Sequence, residues 1–107
     1  VRGLEPVDLD CTVNVTGGLD RPPYEKFKGI EKLFEHAKSL AAEIGFELKD
    51  LKTGGGSDGN FTGALGIPTL DGLGADGHGA HSFDEFIYYS SLEERTKLMI
   101  GLMETLK

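Results

Sequence analysis

The chain has 107 residues, of which 38% are hydrophobic and 16 are glycine, so it is one domain by length or a piece of something larger, rich in loops for its size. A net charge of −7 argues against a protein that tracks nucleic-acid phosphates or docks on anionic membranes. No apolar run reaches the roughly 18 residues of a membrane span, and no signal peptide opens the sequence. The one cysteine, Cys11, excludes an internal disulfide framework and fits a reducing, cytoplasmic compartment; a longer chain with its own N-terminus could equally be periplasmic or secreted.

In chain order, residues 9–16 (LDCTVNVT) alternate: Leu9, Cys11, Val13 and Val15 point one way, and Asp10, Thr12, Asn14 and Thr16 the other. That pattern predicts a strand with one wet face, as in antiparallel sheets. The segment GGLDRPP then breaks the chain, because its prolines lack backbone donors. Between Tyr24 and Ile44 the period becomes helical, with Phe27, Ile30, Leu33, Phe34, Ala37, Leu40, Ala41 and Ile44 forming one stripe stopped by Gly45. FELKDLK (46–52) reads as a strand, 58–65 as a short helix ended by Gly66 and Pro68, and IPTLDGL (67–73) as a second short strand. A last helix is predicted behind a capping box, Ser91-x-x-Glu94, with Leu92, Met99, Met103 and Leu106 as its apolar face. The order is β followed by an alternating α/β pattern, in which strands run parallel under covering helices. So few strands cannot close a sheet with two covered faces, and the wet-faced first strand belongs to another sheet. The expectation is the C-terminal part of a larger protein.

Two glycine-rich segments carry the chemistry. TGGGSDGN (53–60) satisfies the dinucleotide spacing through Gly54, Gly56 and Gly59, and GLGADG does so through Gly72, Gly74 and Gly77. The full fingerprint needs a buried strand before it, a long helix after it and a distant acid; the strand here carries Glu47, Lys49, Asp50 and Lys52, and no Gly-Lys-Ser/Thr follows. The plainer reading is a tight turn of positive-φ glycines, with Ser57 or Asp58 capping the helix. The third is a cup of bare backbone N–H groups that seats a carboxylate or an oxyanion. Further on, His78 and His81 supply two imidazoles on a loop, one fewer than a catalytic zinc site usually takes, and His36 lies at a polar helix position beside Glu35, where solvation is expected. A binding module that holds a small anion or nucleotide without catalysis is the alternative from a different class.

Three stretches, DRPPYE (20–25), TGGGSDGNFTGALGIPTL (53–70) and GADGHGAHSFDEF (74–86), together resemble the C-terminal portion of the zinc-dependent metallopeptidases that include glutamate carboxypeptidases, succinyl-diaminopimelate desuccinylases and aminoacylases. The likeness covers nearly the whole chain and is strongest to the glutamate carboxypeptidase branch. It implies an α/β fold in which this chain is the incomplete C-terminal part of a three-layer α/β zinc peptidase catalytic domain, preceded by one strand of the lid domain. Residues 1–19 are then the last strand of the lid or dimerisation domain, and 20–107 the C-terminal half of the catalytic domain.

The resemblance places His81 at the last zinc ligand of a two-zinc centre and Arg21 at an arginine that binds the substrate carboxylate. It sets Gly55 and Gly56 where backbone amides line the substrate pocket, and Glu85 at an acid that supports the metal site. No counterpart falls on His78. The remaining ligands and the catalytic glutamate belong to the N-terminal remainder of the same protein, so no catalytic residue is expected here and the chain alone is expected to be inactive. The implied function is amide hydrolysis that releases an acidic or similar C-terminal amino acid from a small peptide or N-acyl amino acid. A desuccinylase or aminoacylase is the alternative within the family, and a homodimer through the lid is implied for the full-length protein.

Overall fold

The stripe from Phe27 to Ile44 folds, in a computed structural model that describes residues 3–107, as helix α1, Lys28–Ile44. It starts later than Tyr24 because the preceding residues are used elsewhere. Phe27 is extended (φ −111°, ψ 171°), and its carbonyl accepts the first helical bond, from Glu31 N–H at 3.0 Å. The Tyr24 ring lies over Gly63, where any Cβ would come within 2.5 Å of it. At the other end Gly45, at φ 112°, turns the chain, so that its own N–H and that of Phe46 both reach the Ala41 carbonyl, at 2.9 and 3.0 Å. These two hydrogen bonds join the 6→1 bond of a Schellman turn and the 5→1 bond of an αL cap on one orphan carbonyl.

Helix α2, Gly59–Ala64, follows the glycine knot, with Gly66 at φ 79° and Pro68 preventing its continuation. Strands β1 (Gly77–His78) and β2 (Phe86–Ile87) form an antiparallel hairpin in the register Gly77↔Ile87, His78↔Phe86. Helix α3, Tyr89–Thr105, closes the order and packs on α1. Ala37 and Ala41, one turn apart on α1, leave a shallow face into which Leu98 and Leu102 of α3 fit, and Leu48 covers the joint. Phe46, Leu70 and Leu73 pack around this cluster. Each leucine buried here contributes about 2 kcal/mol by removal from water. His36 is not merely solvated, as its helix position led us to expect. Its Nε2 lies 2.6 Å from Thr105 Oγ1 and ties the end of α3 to α1.

Four expectations from the sequence are corrected. Residues 9–16 form no strand; a turn instead enters the segment at Asp8, whose carbonyl accepts Cys11 N–H at 3.1 Å, and every residue from 9 to 16 is exposed. Residues 46–52 and 67–73 also lack ladder partners among the described residues, although Leu48 is buried and Leu70 and Leu73 touch the core. The physical reason is common to all three segments: alternation fits a residue set to a sheet, but a strand exists only beside a neighbour, and isolated pairs are marginal. Ser91, finally, does not cap α3. The helix begins at Tyr89, and the buried Ser91 hydroxyl donates to the Tyr88 carbonyl (2.7 Å) while accepting Asp76 N–H (3.0 Å). The inward face of α3 is accordingly Ser91, Leu98 and Leu102, whereas Leu92, Met99, Met103 and Leu106 are exposed. Helices and strands are both present, as in a segment of an α/β peptidase. The first two residues of the 1–19 segment lie outside the described residues.

Candidate substrate-binding site

The glycine knot acquires its shape from α2. Ser57 Oγ accepts Gly59 N–H at 3.1 Å, and Asn60 Oδ1 accepts Ser57 N–H at 2.8 Å, a reciprocal arrangement that satisfies the exposed donors at the helix start. Ser57 also donates to Asp71, which anchors the knot to the 67–73 segment. Asn60 does a second job: its Nδ2 donates to the Pro22 carbonyl at 3.0 Å, so one side chain clamps the Arg21–Pro22 turn onto the knot.

Arg21 is thereby laid across the start of α2. Its Nη1 donates to Asp58 Oδ1 at 2.7 Å, its guanidinium carbon sits 5.0 Å from the centre of the Phe61 ring, and its Cδ would be only 3.1 Å from a Cβ at Gly56. Asp58 and Phe61, three residues apart, project from one side of the same helical turn. The hydrogen bond to Asp58 is the main cause holding the Arg21 pKa above its already high ordinary value, so the guanidinium stays charged throughout. Glycine at position 56 leaves space for that arginine. None of Gly54, Gly55, Gly56 and Gly59 has positive φ, which corrects the expectation of a left-handed turn. Gly59 is likewise closely surrounded, since a Cβ there would stand 3.2 Å from Asp71 and 3.3 Å from Thr69. Gly55 differs: its N–H is already taken by Thr53 Oγ1 at 3.1 Å.

His81 and Glu85 sit on the loop that joins β1 to β2. That loop is pinned at its base by Tyr88 N–H to the Asp76 carbonyl (2.8 Å) and by the contact of Asp76 with Ser91. His81 is exposed, adopts φ 66°, and its ring forms no hydrogen bond among the described residues. A non-glycine residue in this region is uncommon and carries a modest backbone cost. His78 packs instead against aromatic rings, 5.9 Å from both Phe86 and Tyr88. With Glu85 it lines a recess of about 170 Å³ beside the hairpin. No hydrogen bond or ion pair joins this loop to the knot among the described residues, and no group of three or more metal-ligating side chains gathers there. An exposed imidazole with both nitrogens uncommitted fits a zinc ligand, and the rest of a ligand set would have to come from elsewhere in the protein.

The structure therefore unites Arg21 with Gly56 and keeps His81 and Glu85 on a separate loop. Asp58, Asn60 and Phe61 were not singled out for this role from the sequence. The signal available was an aspartate and an aromatic ring three apart at a helix start, with an asparagine between them.

Over residues 7–105 the sequence matches the model of peptidase family M20/M25/M40. The chain belongs to that family. It is 32% identical over 98 residues to carboxypeptidase G2 of Pseudomonas sp. (strain RS-16), an alignment that covers 90% of this chain and 23% of that protein. The chain thus spans about a quarter of that relative's length. No solved structure matches it significantly. Within the M20/M25/M40 peptidases, the dinucleotide reading of the knot loses its ground. Helix α2 has 6 residues, too few for the long helix that motif requires.

Proposed function

We propose that the full-length protein is a zinc-dependent carboxypeptidase that hydrolyses an amide bond to release an acidic or similar C-terminal amino acid, and that this chain supplies its carboxylate seat. The supporting observation is the placement of Arg21. The guanidinium is carried on an irregular segment whose Pro22 carbonyl is held by Asn60; Asp58 bonds it from one side, and the Phe61 ring lies beside it, next to a glycine that leaves it room. A planar fork of donors held in this way suits the paired hydrogen bonds of a carboxylate.

In this proposal the Gly56 amide adjoins the bound carboxylate, with Gly55 shaping the cup, and Arg21 fixes the substrate end so that the scissile amide has one position. His81 contributes one neutral imidazole to a two-zinc centre whose other ligands and general base lie in the N-terminal remainder, and Glu85 supports that loop. Bound zinc would polarise the amide carbonyl and ease deprotonation of water. Residues 1–19 belong to the lid, through which the full-length protein dimerises, and 20–107 to the catalytic domain. The chain alone is inactive.

The test is steady-state kinetics of the full-length protein on an N-acyl-glutamate. Arg21→Ala should cost about 2–5 kcal/mol in kcat/KM, the range for losing a charge-assisted contact to substrate. Arg21→Lys should restore little, because a point charge cannot reproduce the fork. An unchanged kcat/KM in Arg21→Ala would reduce Arg21 to a surface residue beside a Pro-Pro turn.

A further inference from the structure

We propose that Asp58 is a positioning residue: it holds Arg21 by one nitrogen so that the remaining edge of the guanidinium is presented to the substrate carboxylate. The inference rests on the carboxypeptidase reading above and adds to it a residue that sets how Arg21 is used.

Three observations carry it. First, the Asp58 side chain forms no capping hydrogen bond to α2, although it stands immediately before that helix. Ser57 Oγ accepts Gly59 N–H, and the Ser57 and Asp58 carbonyls accept Asn60 and Phe61 N–H, so the carboxylate is spared for another use. Second, Asp58 engages Nη1 alone, at 2.7 Å. Asp20, the other carboxylate nearby, is 3.8 Å from Nε, beyond hydrogen-bond reach. The Nε–Nη2 edge, which is the geometry a carboxylate binds through two parallel bonds, therefore carries no hydrogen bond among the described residues, only the longer ion pair of Nε with the exposed Asp20. Third, the pair is too exposed to be a stability device. The Asp58 side chain is 94% accessible, and surface ion pairs of that kind contribute little to folding. What such a pair can do is restrict the arginine, which otherwise has many rotamers, while the Phe61 ring, 5.0 Å from the guanidinium carbon, bounds it on another side.

The two carboxylates near Arg21 also impose a specificity cost on any anion, and orientation must outweigh it. Asparagine at position 58 separates these effects, because it retains an acceptor oxygen for Nη1 and removes the charge.

The experiment measures kcat and KM for an N-acyl-glutamate with the full-length, zinc-loaded protein and its Asp58→Ala, Asp58→Asn, Arg21→Ala and doubly substituted Arg21→Ala/Asp58→Ala forms. Asp58→Ala should raise KM about tenfold, the size of one lost orienting contact, with kcat changed far less. Asp58→Asn should recover KM to within about threefold of the unsubstituted protein. In the Arg21→Ala background, Asp58→Ala should have no further effect, since the two residues act as one unit. An Asp58→Ala penalty of the same size with and without Arg21, or an Asp58→Asn form no better than Asp58→Ala, would overturn the positioning role while leaving Arg21 as the clamp. If Arg21→Ala itself leaves KM and kcat unchanged, the carboxypeptidase reading of the seat fails first, and this proposal falls with it.

Discussion

At the scale of single residues, the hairpin loop and the knot spend backbone freedom differently. In the knot, glycine leaves space: a side chain at position 56 would crowd Arg21, and one at position 59 would crowd Asp71 and Thr69. On the hairpin loop the reverse holds, because His81 occupies a left-handed conformation, at φ 66°, that a glycine would adopt more easily. In our proposal that imidazole is retained there, at a modest backbone cost, because it serves as a zinc ligand. This leads to a sharp expectation for His81→Gly. Relief of the backbone strain and the added freedom of the unfolded chain oppose each other, so stability should stay within about 1 kcal/mol. Zinc content of the full-length protein should nevertheless fall by one equivalent. His78→Ala should retain both equivalents, since the His78 ring packs on Phe86 and Tyr88. Elemental analysis of the purified variants together with thermal denaturation checks both statements, and full metal content in His81→Gly would remove His81 from the ligand set.

At the scale of elements, the two helices that pack on each other, α1 and α3, were legible to different degrees. For α1 the sequence carries an eight-membered stripe and a terminating glycine; the glycine stops the helix as read, and seven of the eight stripe residues lie in it, Phe27 preceding its first turn. For α3 apolar residues occur on two sides, and periodicity alone favoured Leu92, Met99, Met103 and Leu106. The choice is made by α1, whose Ala37–Ala41 face accepts Leu98 and Leu102, so it was fixed by a partner and not by the helix itself. The three expected strands failed for the same kind of reason, because a ladder needs a neighbour. The hairpin escaped notice because its strands are two residues each and its closure depends on backbone proximity: a Cβ at Gly77 would lie 2.1 Å from the Phe86 carbonyl oxygen. In the site, Arg21 was reached through the family resemblance of DRPPYE, whereas its contact with Asp58, 37 positions away, and those of Asn60 and Phe61 could be recognised only once folded.

The same close approach yields an element-scale prediction at Gly63, which is buried in α2 beneath the Tyr24 ring, three of whose atoms would lie 2.5–2.8 Å from an added Cβ. Gly63→Ala should be destabilising by about 1–3 kcal/mol, because overcrowding here outweighs the better helix propensity of alanine. It should also loosen the segment that carries Arg21, since Tyr24 is three residues away. Denaturant unfolding of the full-length protein measures the first effect. A stability equal to or above that of the unsubstituted protein would show that the Tyr24 ring moves aside freely.

At the scale of the whole molecule, the chain is spread out. Its radius of gyration is 19.3 Å, against about 13 Å for a compact domain of this length. One side of α3 remains uncovered, with Met103 at 70% exposure, and so do Leu9, Leu19 and Leu51 elsewhere. In our proposal these faces lie against the rest of a peptidase of which this chain represents a part, and the seat built by Arg21 opens toward the zinc centre completed there. The most direct measurement of that central claim is ligand discrimination at equilibrium. The dissociation constants of an uncleavable N-acyl-glutamate analogue and of the same compound with its α-carboxylate replaced by a carboxamide would be determined for the full-length protein and for Arg21→Ala. The account predicts that the unsubstituted protein prefers the carboxylate by about 30-fold or more, as for a charge-assisted pair, and that Arg21→Ala abolishes the preference. Equal discrimination by the two proteins would contradict it, and would move the carboxylate seat away from Arg21 and the glycine knot.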